Sequence, residues 1–158
     1  MPVVALRSIT FETVRSIIAL RVGEQQEPYV APNGTSIAEG LLNPGGWLRA
    51  ITADDAPVGF VLLFDPTLPG AIARHPPVAS DCRMLWRFMI AHEHQKRGYA
   101  RQTLDLVCDH VRRDGAQFLL TSFVPGPHGP EPFYLRYGFA ATGVLRGNGR
   151  EPELRLGL

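Results

Sequence analysis

Gln95-Lys96-Arg97-Gly98-Tyr99-Ala100 is the stretch whose residue types and spacing come closest to a binding chemistry. It lies between a nearly continuous apolar run, Leu85–Ile90, and the most regular helical stretch of the chain. Gly98 and Ala100 let a backbone approach a ligand closely. The first turn of a helix carries unpaired N–H groups with a partial positive charge, a geometry that holds phosphate. Lys96, Arg97 and Arg101 add side-chain charge at the same end. A plain helix start with solvated basic residues reads the same spacing equally well. The segment is neither a GxxxxGK[ST] loop nor a GxGxxG dinucleotide turn.

Other reactive side chains carry less. His92-Glu93-His94 has an HxH spacing but no further ligands and no HExxH pattern, so exposed loop histidines are expected and no metal. His75 and His110 read as surface residues. The two cysteines, Cys82 and Cys108, form no CxxC pair, which argues against a disulfide framework or zinc cage and for a reducing, cytoplasmic setting. Cys108 reads as a small buried hydrophobe.

The 158 residues suit one domain, 1–158. Sixteen Lys and Arg against fifteen Asp and Glu give a net charge of +1, which argues against a nucleic-acid partner. Hydrophobic residues make up 45%, too many for a disordered chain. No apolar run approaches the ~20 residues of a membrane span, and the N-terminus lacks the pattern of a secretory leader.

The pattern predicts alternating strands and helices. Strands are expected at 3–9, 47–52, 58–64, 85–90, 117–123, 139–145 and 153–158. Helices are expected after Thr10, from Ser36, over 98–113 and over 131–137. In the third, Ala100, Leu104, Val107 and Val111 form one stripe. Arg101, Asp105, Asp109 and Arg113 form a ladder of opposite charges on another face. Residues 24–34 read as a polar segment bounded by prolines. Residues 65–81 hold Pro66, Pro69, Pro76 and Pro77 with no repeating pattern, and read as a lid, a dimer contact or a disordered insertion. Gly147-Asn148-Gly149 signals a hairpin. The apolar final strand suggests dimer packing, so a homodimer is expected.

Residues 95–100 match the Q/R-x-x-G-x-G/A signature of the GNAT superfamily of acyl-CoA-dependent N-acetyltransferases. Pro132-Phe133-Tyr134-Leu135-Arg136-Tyr137-Gly138-Phe139 resembles its later FYxxxGF segment, and Leu85–Ile90 resembles its central strand. The stretch from Glu24-Gln25 to Ser36-Ile37-Ala38-Glu39, with Leu85–Ile90, is similar to the spermidine and diamine N-acetyltransferase branch. The resemblance implies an α/β fold with a central mixed sheet and helices on both faces. Two parallel strands, near 85–90 and 118–123, would splay around acetyl-CoA. The pantetheine arm would pair with the backbone of Phe88 and Ile90, and the pyrophosphate would sit on the amides of Lys96 to Arg101, with Gln95, Gly98, Tyr99 and Ala100 in the same turn. A backbone N–H near Met89 would meet the oxyanion.

The implied reaction is attack of a small-molecule primary amine on a thioester. An alkylammonium with a pKa near 10.4 leaves only roughly one molecule in a few thousand as free amine at neutral pH, so a base or a depressed pKa is needed. Tyr134 matches the family's proton donor to the departing thiolate. The glutamate that some polyamine acetyltransferases carry on the central strand is replaced here by Trp86, beside Arg87. Glu24 is therefore the first candidate base, with Glu27 and Asp81 as alternatives. Glu27 and Tyr29 are expected against the acceptor, and Asp54 and Asp55 would favour a polyamine if they converged there. The loop 125–130 lacks the asparagine many relatives place there, and His128 is its only polar side chain. A non-catalytic acyl-CoA-binding or regulatory module is the competing reading.

Overall fold

The computed structural model describes all residues, 1–158. Seven strands form one sheet: β1 (Val4–Arg7), β2 (Gly46–Ala53), β3 (Ala56–Phe64), β4 (Cys82–Ile90), β5 (Phe118–Ser122), β6 (Ala140–Arg146) and β7 (Glu151–Gly157). Their order is β1-β2-β3-β4-β5-β7-β6. Only β4 and β5 run parallel; every other neighbouring pair is antiparallel. The expected mixed sheet is thus present.

Four helices cover it: α1 (Val14–Ile18), α2 (Asn33–Leu42), α3 (Tyr99–Arg113) and α4 (Glu131–Tyr137). On one face Leu104, Val107, Cys108 and Val111 of α3 and Tyr134 of α4 join Ile51, Val61, Leu85 and Leu119 in the main core. On the other, Ile17 of α1 and Ile37 of α2 pack on Phe60, Leu62 and Met89. The stripe expected on α3 faces inward, with Ala100 at its margin. A side chain as large as Leu, fully buried, contributes roughly 1.5–3 kcal/mol.

Several expectations change. α2 starts at Asn33, three residues before Ser36. The Asn33 side-chain amide is buried and donates to the Ile17 carbonyl (2.9 Å), so a residue typed as a turn former locks two helices together. Residues 24–29 form a 3-10 helix rather than an irregular loop. The α3 charges do not form the expected ladder: Asp109 pairs with Arg112 (2.9 Å), Asp105 accepts from the Tyr137 hydroxyl (2.7 Å), and Arg101 lies over the Tyr137 ring. His110 is half-buried and stacks on Trp47 (4.2 Å between ring centres) instead of standing free at the surface. The last strand, β7, lies inside the sheet, with β5 on one edge and β6 on the other. Residues 65–81 form a pinned loop. Asp65 pairs with Arg83 (3.2 Å), Asn43 exchanges two hydrogen bonds with the Ile72 backbone, and Val78 is buried.

Candidate active site

The sheet opens between its two parallel strands. Cys82 to Leu85 pair with Phe118 to Thr121, and there the ladder stops. On its β3 side, β4 pairs Leu85 with Leu63 and then Arg87 with Leu62, leaving Trp86 as an inserted residue. Such a bulge bends a strand and re-aims its side chains. Leu85 and Phe88, three positions apart, therefore both meet the main core, while Trp86 and Met89 meet the opposite one. Beyond the bulge β4 keeps β3 as its only partner. β5 continues one residue, with Ser122 opposite Glu153 of β7. Val124 and Pro125 follow, and a proline cannot extend the ladder.

The gap forms a cleft of about 840 Å³. Its walls are the second half of β4, residues 121–124, the first turn of α3, residues 26–32, and Phe133 and Tyr134 of α4. At its far end Lys96 (φ 62) and Gly98 (φ 82) both take left-handed backbone conformations. At Gly98 no neighbour would crowd a side chain, so the positive φ itself calls for glycine. No side chain caps α3, and its first hydrogen bond comes from Gln102 N to the Gly98 carbonyl. The amides of Tyr99, Ala100 and Arg101 thus lie free at the wall, which is what a pyrophosphate needs. The Tyr99 ring itself is buried in the main core.

The backbone of β4 along the gap is fixed by alternation. Ala91 N donates to Val58 of β3 (2.8 Å). Two residues back, Met89 must also point its N–H at β3, and Phe88 and Ile90 must point theirs into the gap. Phe88 and Ile90, where a pantetheine edge is expected, thus turn their N–H groups to the gap, whereas the Met89 N–H points at β3. Met89 instead packs its side chain in the second core, 3.6 Å from the Asn33 amide.

Gln95 lines the cleft and is held there by its own side-chain bonds. Its side-chain amide donates to the Ile90 carbonyl (2.9 Å) and exchanges two hydrogen bonds with Gln26 (2.7 and 3.1 Å). Gln26 in turn accepts from Gly23 N (3.0 Å). Gln95 ties the phosphate turn to the end of β4 and to the 24–29 helix; it is a strut between three walls. Arg97 is exposed and outside the walls, whereas Lys96 and Arg101 line them.

Tyr134 sits at the fork. Its ring packs between Phe133 (5.5 Å) and Phe139 (5.3 Å), and the residue is 5% exposed. Burial pushes its phenol up to about 12, against a smaller downward pull from the Thr121 hydroxyl. Thr121, the last β5 residue paired to β4, donates to the Leu85 carbonyl (3.2 Å). The phenol therefore keeps its proton at neutral pH beside the point where the strands part.

The carboxylates are arranged differently from the expectation. Glu24 is exposed and outside the cleft walls, while Glu27 lines them. Asp81 sits at the closed end of β4, where its carbonyl caps Gln117 and Phe118. Asp54 and Asp55 bind Val3 N and Arg7 across the β2–β3 turn (2.8 and 3.2 Å), so they do not converge on the cleft. Glu151, at the start of β7, does line it and accepts from the Ser122 hydroxyl (3.3 Å). Its place at a strand start after a hairpin left no mark in the spacing. Tyr29 lines the cleft, and its hydroxyl accepts from His128 N (3.2 Å). At Gly126 a side chain would collide with the Tyr29 ring, and at Gly129 it would press tightly on it. His128 lines the cleft as well. No group of three or more His, Cys, Asp or Glu side chains stands together as a metal site, and no helix is long and apolar enough to cross a membrane.

Residues 14–139 match the model of the acetyltransferase (GNAT) family. No curated protein matches the chain by sequence. Solved structures match it over nearly its whole length at low identity. The aminoglycoside acetyltransferase AAC(6')-Ib in complex with coenzyme A is 12% identical, covers 98% of this chain and 95% of its own, and superposes with a TM-score of 0.77. A GNAT family acetyltransferase from Elizabethkingia anophelis with acetyl-CoA bound is 16% identical, with coverages of 99% and 98% and a TM-score of 0.68. An acetyltransferase from Bacillus subtilis in complex with CoA is 15% identical, with coverages of 100% and 99% and a TM-score of 0.68. At these identities the superpositions speak for the fold, and the family match covers four-fifths of the chain: the protein belongs to the GNAT family of acetyltransferases.

Proposed function

We propose that the chain transfers acetyl from acetyl-CoA to a small primary amine, with Tyr134 as the proton donor. The observation that carries this reading is the fork between β4 and β5: one strand edge free at Phe88 and Ile90, an uncapped helix start at Gly98, and a buried, protonated Tyr134 between them. Coenzyme-bound neighbours of the same fold support the coenzyme assignment.

The amine nitrogen forms a bond to the thioester carbonyl carbon, and the oxyanion is met by the Phe88 N–H. A well-aligned donor of this kind contributes about 3 kcal/mol. The C–S bond then breaks, the nitrogen gives up a proton, and the sulfur gains one. Tyr134 gives its proton to the departing sulfur, and the proton released by the amine nitrogen restores the phenol, so the proton count balances. Of the carboxylates, Glu27 and Glu151 line the cleft and can orient the ammonium or accept its proton; Glu151 takes the place expected of Glu24.

The experiment is thiol release from acetyl-CoA with a panel of amines that includes diamines and polyamines, the acceptor class the narrower resemblance implies. Acetylated product from at least one amine supports the reading. Coenzyme binding without transfer to any amine sinks it in favour of an acyl-CoA-binding module.

A further inference from the structure

A second cavity, of about 220 Å³, adjoins the cleft: Trp86, Arg87, Ser122 and Glu151 line both. The bulge makes this possible, because Trp86 and Arg87 are the residues at which β4 slips its register against β3. Three guanidinium groups reach the cavity, from Arg74, Arg87 and Arg146. Two of them have carboxylate partners, although the Arg87 Nε, like that of Arg74, is buried without an acceptor. Arg87 meets Glu39 (3.4 Å). Arg146 meets Glu153 and the carbonyls of Pro76 (2.7 Å) and Pro77 (3.3 Å).

Arg74 has no such partner. It makes no hydrogen bond or ion pair, and its Nε is buried without an acceptor. The pinned 65–81 loop lays its guanidinium on the Trp86 ring, 4.5 Å from the ring centre, with Phe64 beyond at 6.0 Å. Stacking uses the face of a guanidinium and leaves its edge, a planar fork of donors suited to a carboxylate. Burial, and then the neighbouring Arg87 and Arg146, weaken its hold on its proton, and the carboxylates of Glu39 and Glu151 offset this only in part. On the cleft side of the same cavity stands Glu151, held only by the Ser122 hydroxyl among side chains. The cavity thus offers one cation without an ion-pair partner beside one carboxylate that also lines the cleft.

Resting on the acetyl-transfer reading, we infer that the acceptor is an amine that also carries a carboxylate: the carboxylate seats on the edge of Arg74 and the amino end lies toward Glu151 and the fork. A polyamine places a second ammonium where the guanidinium groups converge, so it is disfavoured.

The test is a matched series of acceptors, ω-aminocarboxylates of three to six carbons, their primary amides, and diamines of the same length, each scored by kcat/KM with acetyl-CoA. The expected result is at least a tenfold preference for the carboxylate over its amide and over the diamine at the best length. Arg74→Gln should reduce that preference tenfold or more, and Arg74→Lys should keep part of it. The preference is a ratio within one preparation, so loss of folded protein cannot mimic the effect. A preference for the diamine, or a carboxylate preference unchanged in R74Q, overturns the inference. If no amine in the series is acetylated, the acetyl-transfer reading fails on its own. The anion site is then read by calorimetric titration of the CoA-loaded protein with the aminocarboxylate. Binding at least tenfold weaker in R74Q upholds the site, and equal binding removes it.

Discussion

Tyr134 shows how one side chain acquires its role from its neighbours. The phenol of a free tyrosine and a thiolate leaving group lie too close in acidity for the residue type alone to say which holds the proton. Burial between Phe133 and Phe139 decides it, by making the phenolate the costly form. Tyr134→Phe keeps the ring packing and removes only the hydroxyl. kcat/KM should fall roughly 100-fold, while thermal stability shifts by about 1 kcal/mol or less. A variant of undiminished rate would show that the sulfur finds its proton elsewhere. The pH dependence follows from the same burial. The folded phenol titrates near 12 and the unfolded one near 10, so its contribution to stability is intact below pH 10 and is lost between 10 and 12. In the range pH 6 to 9 it stays protonated. The rate should therefore climb with pH as the amine loses its proton, and a falling limb near pH 8 in kcat would show that Tyr134 titrates too early for its assigned part.

At the scale of elements, the start of α3 and the bulge of β4 together make the site, and they differ in how openly the sequence displays them. The α3 turn was legible because its chemistry is local: Gly98 must adopt φ 82, and the helix it opens has free amides whatever the rest of the chain does. Gly98→Ala forces a side chain into the left-handed region at a cost of about 1–2 kcal/mol. On the proposed reading these amides grip the coenzyme, so KM for acetyl-CoA should rise roughly tenfold with kcat little changed; a kcat loss at unchanged KM would place the turn's role in chemistry instead of binding. The bulge was not legible. Leu85-Trp86-Arg87-Phe88-Met89-Ile90 reads as one apolar strand, and only pairing with Leu62 and Leu63 shows that Trp86 is the inserted residue. Beyond that one-residue slip the Met89 N–H points at β3 and the Phe88 N–H at the gap. The partners of Gln95 were hidden for a related reason: its amide bonds Ile90 and Gln26, 5 and 69 residues away, and the motif shows only its place in the turn. The strands and helices themselves were visible because periodicity is local, while Arg74 and Glu151 became neighbours of the cleft only through long-range folding.

Across the whole molecule, the open sheet has to be held while its middle is forced apart, and the burden falls on contacts far from the fork. Arg146 of β6 and Glu153 of β7 form an ion pair with both side chains nearly sealed from water, 5% and 6% exposed. Glu153 also accepts from the Thr142 hydroxyl (2.9 Å). The remaining donors of Arg146 hold the carbonyls of Pro76 and Pro77, so one guanidinium binds the outer hairpin and the proline-rich loop that delivers Arg74. Removing one partner of such a pair leaves a buried charge alone, whereas replacing both with apolar groups can be neutral. Arg146→Ala should therefore lower unfolding stability by about 3–5 kcal/mol, read as a fall in the urea midpoint. It should also expose residues 65–81 to limited proteolysis. The double variant Arg146→Met with Glu153→Leu should recover most of the urea midpoint. It should not recover protease resistance, because the proline carbonyls still lack their donor. The two readouts separate two jobs of one side chain: charge balance within the hairpin and anchorage of the loop. If the double variant regained both, Arg146 would be serving the hairpin alone, and the loop would owe its position to Asp65, Asn43 and Val78.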